Sequence, residues 1–468
     1  MQDLFWESAN SLREKVCNGE ISSEELVTRF LERVNELNPK VNAIVTLNDK
    51  VMAEAKEMDS LAKKGICKPL HGIPVTIKDN ILTKGIRTTF GSVLFKDFVP
   101  DEDSIISERL KEAGALILGK TNMPEFGLVG ITDNPLFGVT KNPWDLTRTP
   151  GGSSGGSAVS IALGFSPISI GNDGGGSIRI PSSFCGVFGF KPSPHVIPKY
   201  PPPNTFRGIS VDGPITRYVS DAILTMRILS GPDLRDRRSL TVPKINFSEE
   251  LDKNEVKRIR IAYSRNLGYG VVDSKVEKTV EDAVYRFREL GVETIDEINP
   301  ELPNLYKALM TKITVEFATF IYDKLEEWKK VTYKPYLNFL LPYFEKLTYH
   351  DYVKVDNEVD KLWSKLSNVF QKYDYLITPT VSVVAFKIEE GIGPSEINGQ
   401  KVGFGEWSPF SFPFNLTGQP ASSIPVGLVN NLPVGMQIIG KPYDDFGVLK
   451  LSLYYERNFS WHKMRPQV

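Results

Sequence analysis

Between residues 70 and 230 short apolar runs alternate with helical stretches, and this alternation constrains the fold more than any other feature of the chain. Residues 75–77, 115–118 and 167–170 are short, mostly apolar runs, with Thr76 and Ser169 the polar exceptions, as expected of strands buried on both faces. Residues 104–113 and 157–163 carry helical periodicity between them. Strands and helices in turn predict an α/β fold: a central mixed or mostly parallel β-sheet flanked by helices. No internal repeat and no low-complexity linker interrupts the 468 residues, so residues 1–468 are read as one elaborated domain.

The flanking segments supply further elements. The first 65 residues read as helical, with Ser22 and Glu25 forming a capping box, a strand-like stretch at 41–46 and a polar helix to about residue 64. The proline-rich segment 192–203 cannot be a central strand and is expected at a rim or lid. Residues 258–263 read as a strand. Asp273 then caps a helix with Val276, Val280, Val284 and Phe287 on one face, stopped by Gly291. Residues 302–374 are helical and aromatic, which fits additional core or a helical cap over a pocket. Strand character returns at 375–378, 421–428 and 434–439, and the last helix holds Leu449, Leu451, Tyr454 and Tyr455.

Several function classes are excluded by composition. A net charge of −1 gives no global basic field for nucleic acid or anionic lipid. No apolar run approaches the roughly 18 residues of a membrane span, and residues 1–4 lack a signal-peptide pattern, so a cytoplasmic protein is expected. The glycosylation-type triplets at Asn246, Asn415 and Asn458 then carry no weight. Cys17, Cys67 and Cys185 are too few and too scattered for a disulfide framework or a zinc site, and reduced thiols are expected. No cluster of His, Cys and carboxylates has metal-ligand spacing, so neither metal nor cofactor is expected.

Chemistry concentrates in two serines and one lysine. Ser153 sits in Gly151-Gly152-Ser153-Ser154-Gly155-Gly156, and Ser177 closes Asp173-Gly174-Gly175-Gly176-Ser177-Ile178-Arg179. Each glycine-rich segment opens directly into an apolar helical stretch. Glycines at such a turn let backbone N–H groups face an oxyanion, and the helix N-terminus adds favourable potential. Lys78 follows Val75, Thr76 and Ile77, so burial is credible, and burial would lower its pKa. Two hydroxyls and a desolvated lysine can make a serine hydrolase that needs no histidine.

Three other motifs compete. Gly114-Ala115-Leu116-Ile117-Leu118-Gly119-Lys120-Thr121 fits the P-loop formula, but its middle reads as a strand rather than a phosphate cradle. Gly151 to Gly155 also matches a nucleophile elbow, which requires a histidine; His195, His350 and His462 lack a convincing context. Ser60-Leu61-Ala62-Lys63 lies in a charged helix without companion motifs.

The lysine segment and the two serine segments occur in the order, and at the 24-residue serine spacing, of the amidase signature family, which they closely resemble. The resemblance runs from about residue 5 to 232 and resumes near 415–461, where Leu416-Thr417-Gly418-Gln419-Pro420-Ala421 is family-like. It implies a catalytic core at 70–232 and a variable region, about 240–400, that shapes the acyl and amine pockets. It also implies a Ser-cis-Ser-Lys triad: Ser177 as nucleophile, Ser153 on a cis peptide bond as relay, and neutral Lys78 as base. Gly174, Gly175, Gly176 and Ser177 would supply oxyanion N–H groups, with Ser154, Asp173 and Arg179 in support. Gly174 departs from the Thr or Ile frequent at that position. The implied activity is hydrolysis of linear carboxylic amides to acid plus amine or ammonia through an acyl-Ser177 ester. A small-molecule amide is then the expected partner, and a homodimer is compatible. The alternative within the family is the amidase-like subunit of a tRNA-dependent (Asp/Glu) amidotransferase, which takes ammonia from glutamine. The long loop at 194–203 and the approach from Arg207 to Asp212-Gly213-Pro214 look more like free-standing amidases.

Overall fold

The C-terminal ends of two parallel strands, β2 (Pro74–Lys78) and β4 (Ile168–Asp173), organise the molecule. They belong to an eleven-stranded mixed sheet in a computed structural model that describes residues 4–201, 208–243, 253–333, 340 and 346–468. The remaining strands are β1 (Ile44–Leu47), β3 (Leu116–Thr121), β5 (Phe188–Lys191), β6 (Val211–Thr216), β7 (Arg260–Tyr263), β8 (Thr294–Glu297), β9 (Tyr375–Pro379), β12 (Ala421–Val429) and β13 (Leu432–Ile439). A separate two-stranded ribbon holds β10 (Glu396–Ile397) and β11 (Gln400–Lys401). The sheet order is β1-β3-β2-β4-β6-β5-β12-β13-β9-β7-β8. β2 runs parallel to β3 and β4, and β7 runs parallel to β8 and β9; the other pairings are antiparallel. The α/β architecture read from the alternation is the one observed. β2 and β3 are buried at every residue, which explains why both are mostly apolar up to their buried lysines.

Helix boundaries follow their caps. Of the helices α1 (Ala9–Cys17), α2 (Ser23–Val41), α3 (Val51–Ala62), α4 (Ile105–Glu112), α5 (Gly155–Ala162), α6 (Arg179–Cys185) and α7 (Val219–Leu229), α1, α2 and α4 start at serine caps. Ser22 and Ser104 each accept a backbone N–H three residues on. Asp273 does the same for the helix Ser274–Glu289, whose Val276, Val280, Val284 and Phe287 are buried as the periodicity requires. One boundary differs. α2 continues through Pro39 to Val41, so the strand expected from residue 41 begins at Ile44. Asn38 Oδ1 accepts from Ala43 N and Ile44 N, which secures the chain as it leaves the helix at the left-handed Asn42.

The expectation of three reduced thiols is corrected. Cys17, at the end of α1, is disulfide-bonded to Cys67, beyond α3, with Cα atoms 6.1 Å apart; Cys185 is free and buried. The two helices share the core with Leu26 and Leu70, and that packing brings together cysteines 50 residues apart.

The core reading of 302–374 is the one observed among the described residues. Phe317, Trp328, Leu362 and Leu366 are buried core in the helices Tyr306–Ile321, Leu325–Val331 and Tyr349–Lys372. Phe320, on the first of them, borders a cavity that Ser153 and Ser177 also line. The proline-rich segment is a rim: Pro198, Lys199, Tyr200 and Pro201 border the same cavity. Pro202, Pro203, Arg207 and Asn246 lie outside the described residues. No helix among the described residues is long and apolar enough to cross a membrane.

Candidate active site

β2 delivers Lys78 to its last position with no solvent exposure. Its Nζ is hydrogen-bonded to Ser153 Oγ (2.6 Å) and donates to Asn172 Oδ1 (2.6 Å). Burial pulls the pKa of the amine down to about 7. The charges of Asp173 and Asp212 oppose that shift, and Lys199 adds to it. The amine therefore sheds its charge near neutral pH instead of several units above it.

Ser153 stands where the loop 150–154 turns into α5. The peptide bond from Gly152 to Ser153 is cis. Side chains have no room beside it: a Cβ on Gly152 would collide with the Ile131 backbone, and Gly151 has φ +76°. Ser154 ties the two serine segments together. Its N–H donates to Ser177 O (3.1 Å), its hydroxyl donates to Asn172 O (3.2 Å), and the same oxygen accepts from Asn172 N (3.3 Å).

β4 ends at Asp173, and the chain turns through 174–178 into α6. Burial alone would raise the Asp173 pKa, but the adjoining Arg179 guanidinium holds it well below the usual carboxylate range. Arg179 forks onto it, Nη2 to Oδ1 (2.8 Å) and Nε to Oδ2 (3.0 Å), with both side chains fully buried. Arg179 also donates to Ser411 O, Gln437 Oε1 and Asn415 Oδ1, and Asn415 Nδ2 returns to Asp173. Asp173 in turn accepts the N–H groups of Gly176 (2.7 Å) and Ile178 (3.1 Å). This network fixes the turn. Gly176 adopts φ +126°, and a Cβ there would strike Ser411 and Ile180. The N–H groups of Gly174, Gly175 and Ser177 donate to no described residue, whereas that of Gly176 is engaged by Asp173.

Ser153 and Ser177 border one cavity of about 100 Å³. The Ser177 hydroxyl makes no hydrogen bond with a described residue, Ser153 included. Apolar side chains supply much of the wall: Ile81, Leu82, Ile105, Phe90, Phe126 and Phe320. Phe126 packs edge-on against Phe320, with ring centres 5.6 Å apart. On the rim, Lys199 and Asp212 form an ion pair at 3.1 Å.

All nine residues singled out in the sequence gather here: Lys78, Ser153, Ser154, Asp173, Gly174, Gly175, Gly176, Ser177 and Arg179. The sequence reading missed Asn172, Asn415 and Gln437. Asn172 directly precedes the glycine-rich segment, and Asn415 opens the family-like stretch; those neighbourhoods were the available signals. Gln437 gave none, because it reaches Arg179 from β13 across 258 residues.

The competing motifs find other uses. The P-loop-like segment is strand β3, buried throughout, and Lys120 donates to Ile81 O, Thr83 Oγ1 and Thr88 Oγ1. No backbone cradle for phosphate exists there. Neither serine is hydrogen-bonded to histidine among the described residues. His195 faces Asp236, His462 bonds Glu456 (2.9 Å), and His350 lies exposed in the first turn of Tyr349–Lys372.

A buried lysine at a strand end, beside two serines that each lie at a glycine-rich turn into a helix, defines a class, and the comparisons agree on it. The amidase family model matches residues 25–449. The chain is 36% identical over 471 residues to an acylamidase of Rhodococcus erythropolis, covering 99% of this chain and 98% of that protein. It is 35% identical over 492 residues to a glutamyl-tRNA(Gln) amidotransferase subunit of a Sulfurihydrogenibium strain, covering 100% of each. The solved structure of a bacterial aryl acylamidase of the amidase signature family superposes with a TM-score of 0.88 at 28% identity, covering 98% of this chain and 97% of that one. The chain belongs to the amidase family.

Proposed function

We propose that this chain is a free-standing amidase that hydrolyses linear carboxylic amides bearing an apolar acyl group. The observation that carries the reading is the buried Lys78 amine, 2.6 Å from Ser153 Oγ, beneath the cavity that Ser153 shares with Ser177.

The chemistry follows from the groups present. Neutral Lys78 takes the proton of Ser153 as Ser153 takes that of Ser177, and Ser177 Oγ bonds to the carbonyl carbon. The carbonyl π electrons move to oxygen, and the N–H groups of Gly174, Gly175 and Ser177 receive the oxyanion. Collapse re-forms the carbonyl and breaks the C–N bond; the relay returns its proton to the leaving nitrogen, which departs as amine or ammonia. Water then attacks the Ser177 ester by the same relay and releases the acid. A hydrogen bond between the two serine hydroxyls forms as substrate seats. Ser154, Asp173 and Arg179 hold the turn and do not touch substrate.

Similarity to the amidotransferase protein supports a second reading, in which the chain works within a complex on glutamine. The cavity favours the first, because its aromatic and aliphatic wall suits an apolar acyl group better than a zwitterion. The purified chain, given anilides and aliphatic amides without partners, is expected to release amine, and Ser177→Ala to abolish it. Turnover only of glutamine, and only with added partner proteins, would overturn the proposal.

A further inference from the structure

We infer that Asn172 is a positioning residue for the base: by accepting a Lys78 N–H at Oδ1, it turns the nitrogen lone pair towards Ser153. The inference rests on the proposed roles of Lys78, Ser153 and Ser177.

A neutral amine has two N–H bonds and one lone pair. Catalysis requires the lone pair on the Ser153 side, and nothing in a lysine side chain enforces that, because rotation about the terminal C–N bond is easy. Two hydrogen-bond partners meet Nζ among the described residues: the Ser153 hydroxyl and the Asn172 carbonyl oxygen, each at 2.6 Å. A hydroxyl can give or take a proton, whereas a carbonyl oxygen can only accept. Asn172 therefore claims an N–H, which keeps the lone pair off its own side and free to face the Ser153 hydroxyl when that hydroxyl gives its proton. The reversed amide would spend the lone pair on an Asn172 N–H, or set that N–H donor against the ammonium when the lysine is charged. Only the observed orientation serves both protonation states.

Asn172 is itself anchored. Its backbone N–H and C=O both meet Ser154 Oγ, and it pairs across the β4–β6 ladder with Asp212. Lys78 is thus linked through Asn172 to the loop that carries Ser153. The neutrality of the amide matters as much as its geometry. The charged groups acting on Lys78 are Asp173 at the end of β4, Asp212 on β6 and Lys199 on the rim, and none of them bonds Nζ. Asp79, the next residue along the chain, is turned away to Thr89. A carboxylate in place of Asn172 would hold the same N–H but would also favour the ammonium form.

Two variants, Asn172→Asp and Asn172→Leu, test this. Thermal melts confirm folding, and the pH dependence of single-turnover acylation is read beside Ser177 labelling by a fluorophosphonate. In Asn172→Asp the midpoint of the rising limb moves up by about one to three pH units, with the plateau largely retained. In Asn172→Leu the plateau kcat falls about 10–100-fold with little change in KM. An unshifted midpoint in the first variant overturns the inference, as does near-wild-type kcat in the second. Should one variant not fold, the other decides alone. Absence of Ser177 labelling in the wild type would instead bring down the proposed nucleophile, and this inference with it. A labelled wild type with unmoved variants condemns only the role of Asn172.

Discussion

Adjacent strands β2 and β3 each carry a buried lysine at or next to the C-terminal end, Lys78 last in β2 and Lys120 one residue before the end of β3, and the two lysines do different things. Their parallel register sets Ile77 against Lys120 and Lys78 against Thr121, so Lys78 and Lys120 project from opposite faces of the sheet. Burial lowers the pKa of both. Lys120 meets three acceptors, Ile81 O, Thr83 Oγ1 and Thr88 Oγ1, and lies in the field of the buried Asp79 carboxylate. Three acceptors for three N–H bonds suit an ammonium, and this lysine staples the loop after β2 to β3. Lys78 has one acceptor-only partner, one hydroxyl able to give up a proton, and a cavity beyond. Burial makes a lysine easy to deprotonate; its partners decide whether it works as a base.

The comparison breaks most sharply by substitution. Lys78→Ala should lower amide turnover by about three orders of magnitude or more while the protein stays folded, whereas Lys120→Met should leave kcat per folded molecule within severalfold of wild type. Steady-state kinetics with active-site titration separates the two, and a wild-type rate in Lys78→Ala would refute its role. In stability the order reverses. Lys120→Met leaves Ile81 O, Thr83 Oγ1 and Thr88 Oγ1 without their donor and weakens the positive field on Asp79, leaving Arg87, and should cost about 1–3 kcal/mol in denaturant melts.

Lys78→Met should instead stabilise, on the order of 1–4 kcal/mol. The folded-state pKa of Lys78, about 7, lies below its unfolded value, so the wild-type chain gives up a proton on folding. That cost is complete below pH 7 and fades as pH rises towards the unfolded lysine pKa. The gain in Lys78→Met should therefore be largest at or below neutral pH and shrink by pH 10. A gain independent of pH would mean that the amine keeps its proton on folding. The smallest effect expected is that of Thr88→Val, which removes one acceptor from Lys120. It should cost about 1 kcal/mol and leave the pH midpoint of activity unmoved. A moved midpoint would tie the two lysines together electrically and blur the distinction.

Local chemistry was legible in the sequence where it is locally encoded. The glycine-framed serines, the apolar approach to Lys78 and the caps at Ser22 and Asp273 depend on neighbours a few residues away, and they emerged in place. Strands β5 and β6 were not read. β5 is only Phe188–Lys191, and β6 contains Gly213 and Pro214, which weaken any strand signal. The Cys17–Cys67 bond, the Lys78–Asn172 contact and the anchoring of Arg179 by Asn415 and Gln437 depend on packing between distant segments. No periodicity or spacing reports such pairings. The aromatic wall lay hidden for the same reason: Phe90, Phe126 and Phe320 come from three separate segments.

The central claim is that Lys78 is uncharged when the enzyme acts, and the rate of Ser177 acylation measured against pH tests it most directly. The account predicts a single rising limb with a midpoint near pH 7, lost in Lys78→Ala. A rate that is flat from pH 5 to 9, about two units on either side of the expected midpoint, or one that rises only near the ordinary lysine pKa of about 10, would contradict it.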